Sequence, residues 1–145
     1  MRKILILALT VLAVSGCVAN QNVPLPYSID EALQYRDYKA QLQGVRFYFG
    51  NQPHPAVERS FGVSTTAQRA STAGDKDAKE VCARALTSAL LRLKSAAIKN
   101  GGNAVINIKS NWKHNEVSSE SQYQCATGAL MSGVALKGTV VKLRN

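Results

Sequence analysis

The stretch DAKEVCARALTSALLRLKSAAIKNGG, residues 77–102, decides the fold class. Cys82, Leu86, Ala89, Leu90, Leu93 and Ala97 recur at intervals of four, three, one, three and four, the spacing of one face of an α-helix. Arg84, Ser88, Arg92, Ser95 and Lys99 fall mostly on the opposite side. Asp75 or Asp77 supplies an N-cap, the helix runs to about Lys99, and Asn100-Gly101-Gly102 stops it. A helix with one apolar stripe needs a surface to lie on, and the flanking sequence supplies strands.

Downstream, Ala104 to Trp112 alternates. Ala104, Ile106, Ile108, Ser110 and Trp112 share one face, and Asn107, Lys109 and Asn111 share the other. Val117 to Cys125 places Val117, Ser119, Ser121, Tyr123 and Cys125 together. Val134 to Leu143 is apolar on both faces for much of its length, as a central strand is. Upstream, Ser28-Ile29-Asp30-Glu31 has the form of a capping box and opens a short helix to about Lys39. Gly44 ends that region, Val45 to Phe49 reads as a strand, Gly50 to Pro55 as a loop, and Glu58 to Thr66 as a second strand. The order β-β-α-β-β-β predicts an α+β fold: an antiparallel sheet of about five strands with one long amphipathic helix packed on it, preceded by a short N-terminal helix.

The N-terminus carries a different message. Met1-Arg2-Lys3 precedes an apolar run from Ile4 to Val14, the n-region and h-region of a signal peptide and too short for a lasting membrane span. Val14-Ser15-Gly16-Cys17 resembles the lipobox of bacterial lipoproteins. The resemblance implies cleavage after residue 16, lipidation of Cys17 and a membrane anchor through its acyl chains, each buried CH₂ contributing ~0.8 kcal/mol. Val18-Ala19-Asn20 holds no acidic residue after the cysteine, which resembles the sorting pattern of lipoproteins destined for the outer membrane, facing the periplasm. Residues 18–26, polar with Pro24 and Pro26, read as a tether, and residues 27–145 as a single domain. The full chain carries 18 basic and 9 acidic residues, a net charge of +9. The basic residues are scattered and aromatics are few, so nucleic acid is a poor partner; anionic envelope components are an easier one, and a merely soluble basic surface serves equally well.

With Cys17 set aside, Cys82 and Cys125 remain, an even pair in an oxidising compartment. Cys82 lies on the helix stripe. If the strand face bearing Cys125 meets the helix, the thiols reach bonding distance. The run from Cys82 through Ala97, then Asn100-Gly101-Gly102-Asn103-Ala104-Val105 and a strand bearing Cys125, resembles RcsF-type periplasmic domains at the level of fold, over residues 78–143. The turn also recurs in YbjQ-like domains. Phe47-Tyr48-Phe49-Gly50, Gly102 to Ser110 and Gly133 to Gly138 resemble a family of small exported proteobacterial proteins that often carries the label "excinuclease ATPase subunit", over residues 26–145. The residues contain no GxxxxGK[ST] phosphate loop and no CxxC pair, so nothing in them fits an ATPase, and no cofactor is expected. RcsF-type domains have a second disulfide that has no counterpart here.

The resemblance implies a non-enzymatic envelope lipoprotein, a protein-interaction or envelope-stress module; the alternative is a periplasmic domain that binds a small ligand or metal. His54 and His114, beside Glu116, are the candidate metal ligands, and Ser118, Ser119 and Ser121 near His114 the candidate hydrolase residues, but there is no GxSxG elbow. Partner contact is expected on the sheet face away from the helix, through Asn107, Lys109 and Asn111, with Tyr48 as an exposed aromatic; the same row also suits the plain wet face of a half-buried sheet.

Overall fold

The structure, a computed structural model, describes residues 23–74 and 77–145. The segment expected to be a signal peptide, Cys17 and most of the expected tether lie outside the described residues, as does Asp75. The described chain is mixed α and β, one seven-stranded sheet and three helices. In order, the elements are β1 (Pro24–Ser28), α1 (Ile29–Gln34), α2 (Tyr38–Gln41), β2 (Arg46–Phe49), β3 (Val57–Ser71), α3 (Ala78–Lys99), β4 (Ala104–Trp112), β5 (Asn115–Val117), β6 (Gln122–Thr127) and β7 (Met131–Leu143).

Helix α3 follows its sequence closely. Asp77 accepts from the Lys79 N–H at 2.9 Å, satisfying an orphan donor of the first turn. At the other end, Gly101 takes φ +78, and the N–H groups of Gly101 and Gly102 donate to Ile98 and Ala97 in a Schellman closure. Cys82, Leu86, Ala89, Leu90, Leu93 and Ala97 are all fully buried. They meet Val105, Ile108, Val134, Leu136 and Val140 of the sheet, with Tyr38, Leu42 and Phe49 closing the rim.

β7 is the central strand. β3 runs antiparallel to it along its full length. Its other edge is shared: β4 covers Leu136–Val141, and β6 covers only Ser132 and Gly133. The side chain of Ser110, 4% exposed, bridges the gap between them by accepting from the Gln124 N–H at 2.8 Å. β1 lies outside β6, β2 outside β4, and β5 forms a hairpin with β4.

The structure departs from expectation in several places. It has seven strands rather than about five, and β2 pairs with β4 in parallel. That pairing is open to β2 because β3 and α3 intervene and supply the long crossover a parallel pair requires. Residues 24–28, read as tether, are a strand paired to Gln122–Ala126. Pro24 and Pro26 alternate, so both missing N–H groups fall on the unpaired outer edge, where proline is tolerated. The N-terminal helix begins as expected, with Ser28 Oγ accepting from the Glu31 N–H, but Arg36 at φ +47 divides it into α1 and α2. β3 continues to Ser71, well past Thr66, and Val117 to Cys125 is not one strand: Val117 belongs to β5, and Tyr123 and Cys125 to β6.

A further departure is inside β4. Asn107 takes φ +52, and the register to β7 shifts between Ile106 and Lys109. This β-bulge resets the alternation. Val105 and Ile108 both face α3, whereas Ala104 and Ile106 turn to the opposite face and pack with Val141, Leu143 and Tyr48. Ile106 and Ile108 therefore do not share a side. A Cys82–Cys125 disulfide, Cα to Cα 6.0 Å, fastens β6 to α3, and both residues are fully buried.

Candidate functional site

The face of the sheet opposite α3 has no helix over it among the described residues. It divides into three zones. At one end, Tyr48 is half-buried against Ala104, Ile106, Val141 and Leu143, with the His54 ring edge-on at 5.6 Å. Phe49 points the other way into the main core. Tyr48 is thus on the expected side, but it closes a small second core rather than standing free.

In the middle, Asn107 and Lys109 border a shallow depression of about 160 Å³ with Glu116, Lys137 and Thr139. Glu116 hydrogen-bonds and ion-pairs with Lys137, and its other oxygen lies 3.7 Å from Lys109 Nζ. The hydrogen bond from Lys137, and after it the Lys137 charge, hold the Glu116 carboxyl below the usual carboxylate range; Lys109 adds to this. One carboxylate is therefore shared by two lysines, and the cluster keeps a net positive charge. Asn107 reaches the surface because the bulge turns it outward, not because of strand alternation.

At the far end stands Trp112, which alternation placed with the core. Its six-membered ring instead covers Gly133 on the open face: a methyl group at Gly133 would come within 2.8 Å of Cη2. Glycine is required there by the close approach of the indole. Trp112 Nε1 is buried with no acceptor among the described residues, so the ring is held by packing alone. Two clefts of about 340 and 360 Å³ flank it, sharing Arg69, Trp112 and Lys113. Asn111 and His114 line the first, Leu130 and Met131 the second, and among the described residues no Asp or Glu lines either. Asn111 therefore belongs to a different zone from Asn107 and Lys109, and the three do not form one row.

The β4–β5 hairpin sets Lys113 and His114 at the mouth of this site. Trp112 pairs with Asn115, leaving a two-residue turn with φ +49 at Lys113 and +65 at His114. Positive φ at both positions defines a type I′ turn, which favours Asn-Gly. Lysine and histidine in that conformation store strain, a pattern that concentrates at functional surfaces. Replacing Lys113→Asn together with His114→Gly should therefore raise unfolding free energy by about 1 kcal/mol. Chemical denaturation measures it, and an unchanged or lower value would contradict strain at this turn.

Sequence reasoning missed Arg69, because the strand expected over Glu58 to Thr66 stops short of it, and missed Lys113, to which it gave no role. Asn115 facing Trp112 across two residues was the available signal. No group of three or more His, Cys, Asp or Glu side chains suited to a metal ion occurs among the described residues. His54 Nδ1 lies 2.8 Å from the Pro55 carbonyl, and Ser119 Oγ accepts from the N–H groups of Ser121 and Gln122, so these candidate residues serve local loop structure. No helix among the described residues is long and apolar enough to cross a membrane. No protein-family model, curated protein or solved structure matches the chain.

Proposed function

We propose that this is a non-enzymatic lipoprotein of the cell envelope, cut before Cys17, anchored by lipid in the outer membrane and facing the periplasm, whose open sheet face receives a protein partner. A role of the envelope-sensing kind, as in RcsF-type domains, fits this reading. The observation that carries it is the open face itself: a sheet packed by helices on one side only among the described residues, whose other side presents a binding-type surface of amides, lysines and a half-buried tyrosine. Among the described residues no serine hydroxyl there is hydrogen-bonded to a histidine. The Cys82–Cys125 bridge is in keeping with an oxidising compartment. Asn107 and Lys109, with Tyr48 and Asn111 at either side, are the proposed contact residues, and the residual positive charge beside Glu116 favours an acidic partner through encounter rate more than affinity.

Metabolic labelling with a palmitate analogue tests the anchor. The wild-type chain should be labelled and recovered with membranes, and Cys17→Ser should be unlabelled and free in the periplasm; label surviving the substitution would overturn the lipoprotein reading. Crosslinking in intact envelopes tests the face. Lys109→Glu should weaken capture of the partner while the disulfide and melting curve stay unchanged.

A further inference from the structure

The chain enters the described domain at Val23, 56% exposed, and at once forms β1. β1 runs antiparallel to β6 with Pro24 opposite Ala126, so the N-terminal segment leaves the sheet at the end where β6 passes into the β6–β7 turn. That turn carries Leu130 and Met131, 80% and 46% exposed. Its backbone is tied down: Thr72 donates through its N–H to the Leu130 carbonyl and through its hydroxyl to the Ala129 carbonyl. Leu130 is thus presented to solvent by a fixed backbone. Ala126, Leu130 and Met131 line the same cleft as Arg69, Trp112 and Lys113. One corner of the sheet therefore gathers the chain entry, an apolar tip, the indole and two cations, with no carboxylate lining the cleft among the described residues.

Distance makes this corner special. From Cys17 to Val23 the chain spans at most ~20 Å when fully extended. β3, with 15 residues, is about 50 Å long, so the sheet is more than twice the reach of the segment. A domain held at Cys17 by so short a connection keeps its Val23 end beside the bilayer in every orientation, whereas the Tyr48 end meets the bilayer only when the domain lies flat. Anionic headgroups attract Arg69 and Lys113, and Leu130, Met131 and Trp112 supply the apolar and aromatic groups that settle into a membrane interface.

We propose that the corner formed by Val23, Leu130, Met131, Trp112, Arg69 and Lys113 docks on the anionic lipid surface that holds Cys17. This rests on the lipid anchor proposed above, and adds a second contact that fixes how the domain stands on the membrane. The middle of the open face then lies clear of the lipid, where a partner reaches it.

Trp112 is the only tryptophan in the chain and serves as the probe. The acylated full-length mature protein is reconstituted into vesicles of phosphatidylethanolamine with phosphatidylglycerol as the minor component, with and without brominated acyl chains. Docking predicts a blue-shifted Trp112 emission quenched by the brominated lipid. Leu130→Glu combined with Lys113→Glu should return the emission to its value in buffer, while flotation with the vesicles, the disulfide and the melting temperature stay as in wild type. Protein that floats but whose Trp112 is neither shifted nor quenched overturns the docking and leaves the anchor standing. Protein that does not float overturns the anchor, and the docking with it.

Discussion

Replacing Cys82 and Cys125 together by alanine should lower the unfolding free energy of the domain by about 4 kcal/mol, measured by denaturant titration under non-reducing conditions. The bridge joins residues separated by 43 positions, and closing a loop of that length restricts the unfolded chain by roughly this amount in the chain-entropy model. Both residues are fully buried, so alanine also leaves unfilled volume beneath α3, and packing loss adds to the entropic term. Domains of this size have net stabilities of about 5–15 kcal/mol, so the loss is a large share of the total. It should also be unevenly distributed. β6 meets β7 through two residue pairs only, so without the bridge β6 and its outer neighbour β1 should exchange amide hydrogens faster than β4 and β7. A double variant with wild-type stability, or with uniform exchange across the sheet, would show that the bridge is energetically idle.

Gly138→Ala should cost about 1–3 kcal/mol although it adds a single methyl group. The reason lies in the bulge at Asn107. Because Val105 and Ile108 both face α3, their side chains converge over the β7 residue between them, which is Gly138. A Cβ there would lie 2.7 Å from Val105 Cγ1 and 3.1 Å from Ile108 Cγ1. Both neighbours are fully buried and have nowhere to move without disturbing the helix contact. Trimming one of them should restore room: in a Val105→Ala background, Gly138→Ala should cost less than in the wild type. Equal costs in both backgrounds would mean that the clash is absorbed by backbone movement instead.

The same bulge marks the limit of what the sequence discloses. Helix α3 is legible because its information is local: a stripe at helical spacing, an acidic cap and a glycine stop all agree. The span of β4, Ala104 to Trp112, is legible for the same reason, and the Cys82–Cys125 bridge follows from one cysteine on that stripe and one on a strand. The sides of β4 are not legible, because Asn107 at positive φ leaves the written alternation intact while reversing the face of every residue before it. Trp112 was misplaced by alternation, because β4 stops pairing with β7 at Ser110 and the indole beyond that point turns onto Gly133 on the open face. β1 was hidden by prolines, which argue against a strand in every position but an unpaired edge. The parallel pairing of β2 with β4 joins segments separated by β3 and α3, and no local pattern encodes such a partner. As to the site, Asn107, Lys109, Asn111 and Tyr48 do lie on the open face, but in separate zones; Arg69, Lys113 and Leu130 became meaningful only once their neighbours across the sheet were known.

The way β6 is attached has a mechanical consequence. Tension arriving from a membrane anchor enters at Val23 and acts along β1, whose five residue pairs with β6 resist it together in shear. Beyond β6 the backbone pairing to the body of the sheet narrows to two pairs with β7 and the bond from Gln124 to Ser110, beside the packing of Tyr123 in the core and the chain's own continuation from β1 into α1. The sulfur bridge bypasses that narrow passage and delivers the force to α3 directly. With the bridge closed, load on β6 has a covalent path to α3; with it open, β6 depends on those few pairs and on its packing alone.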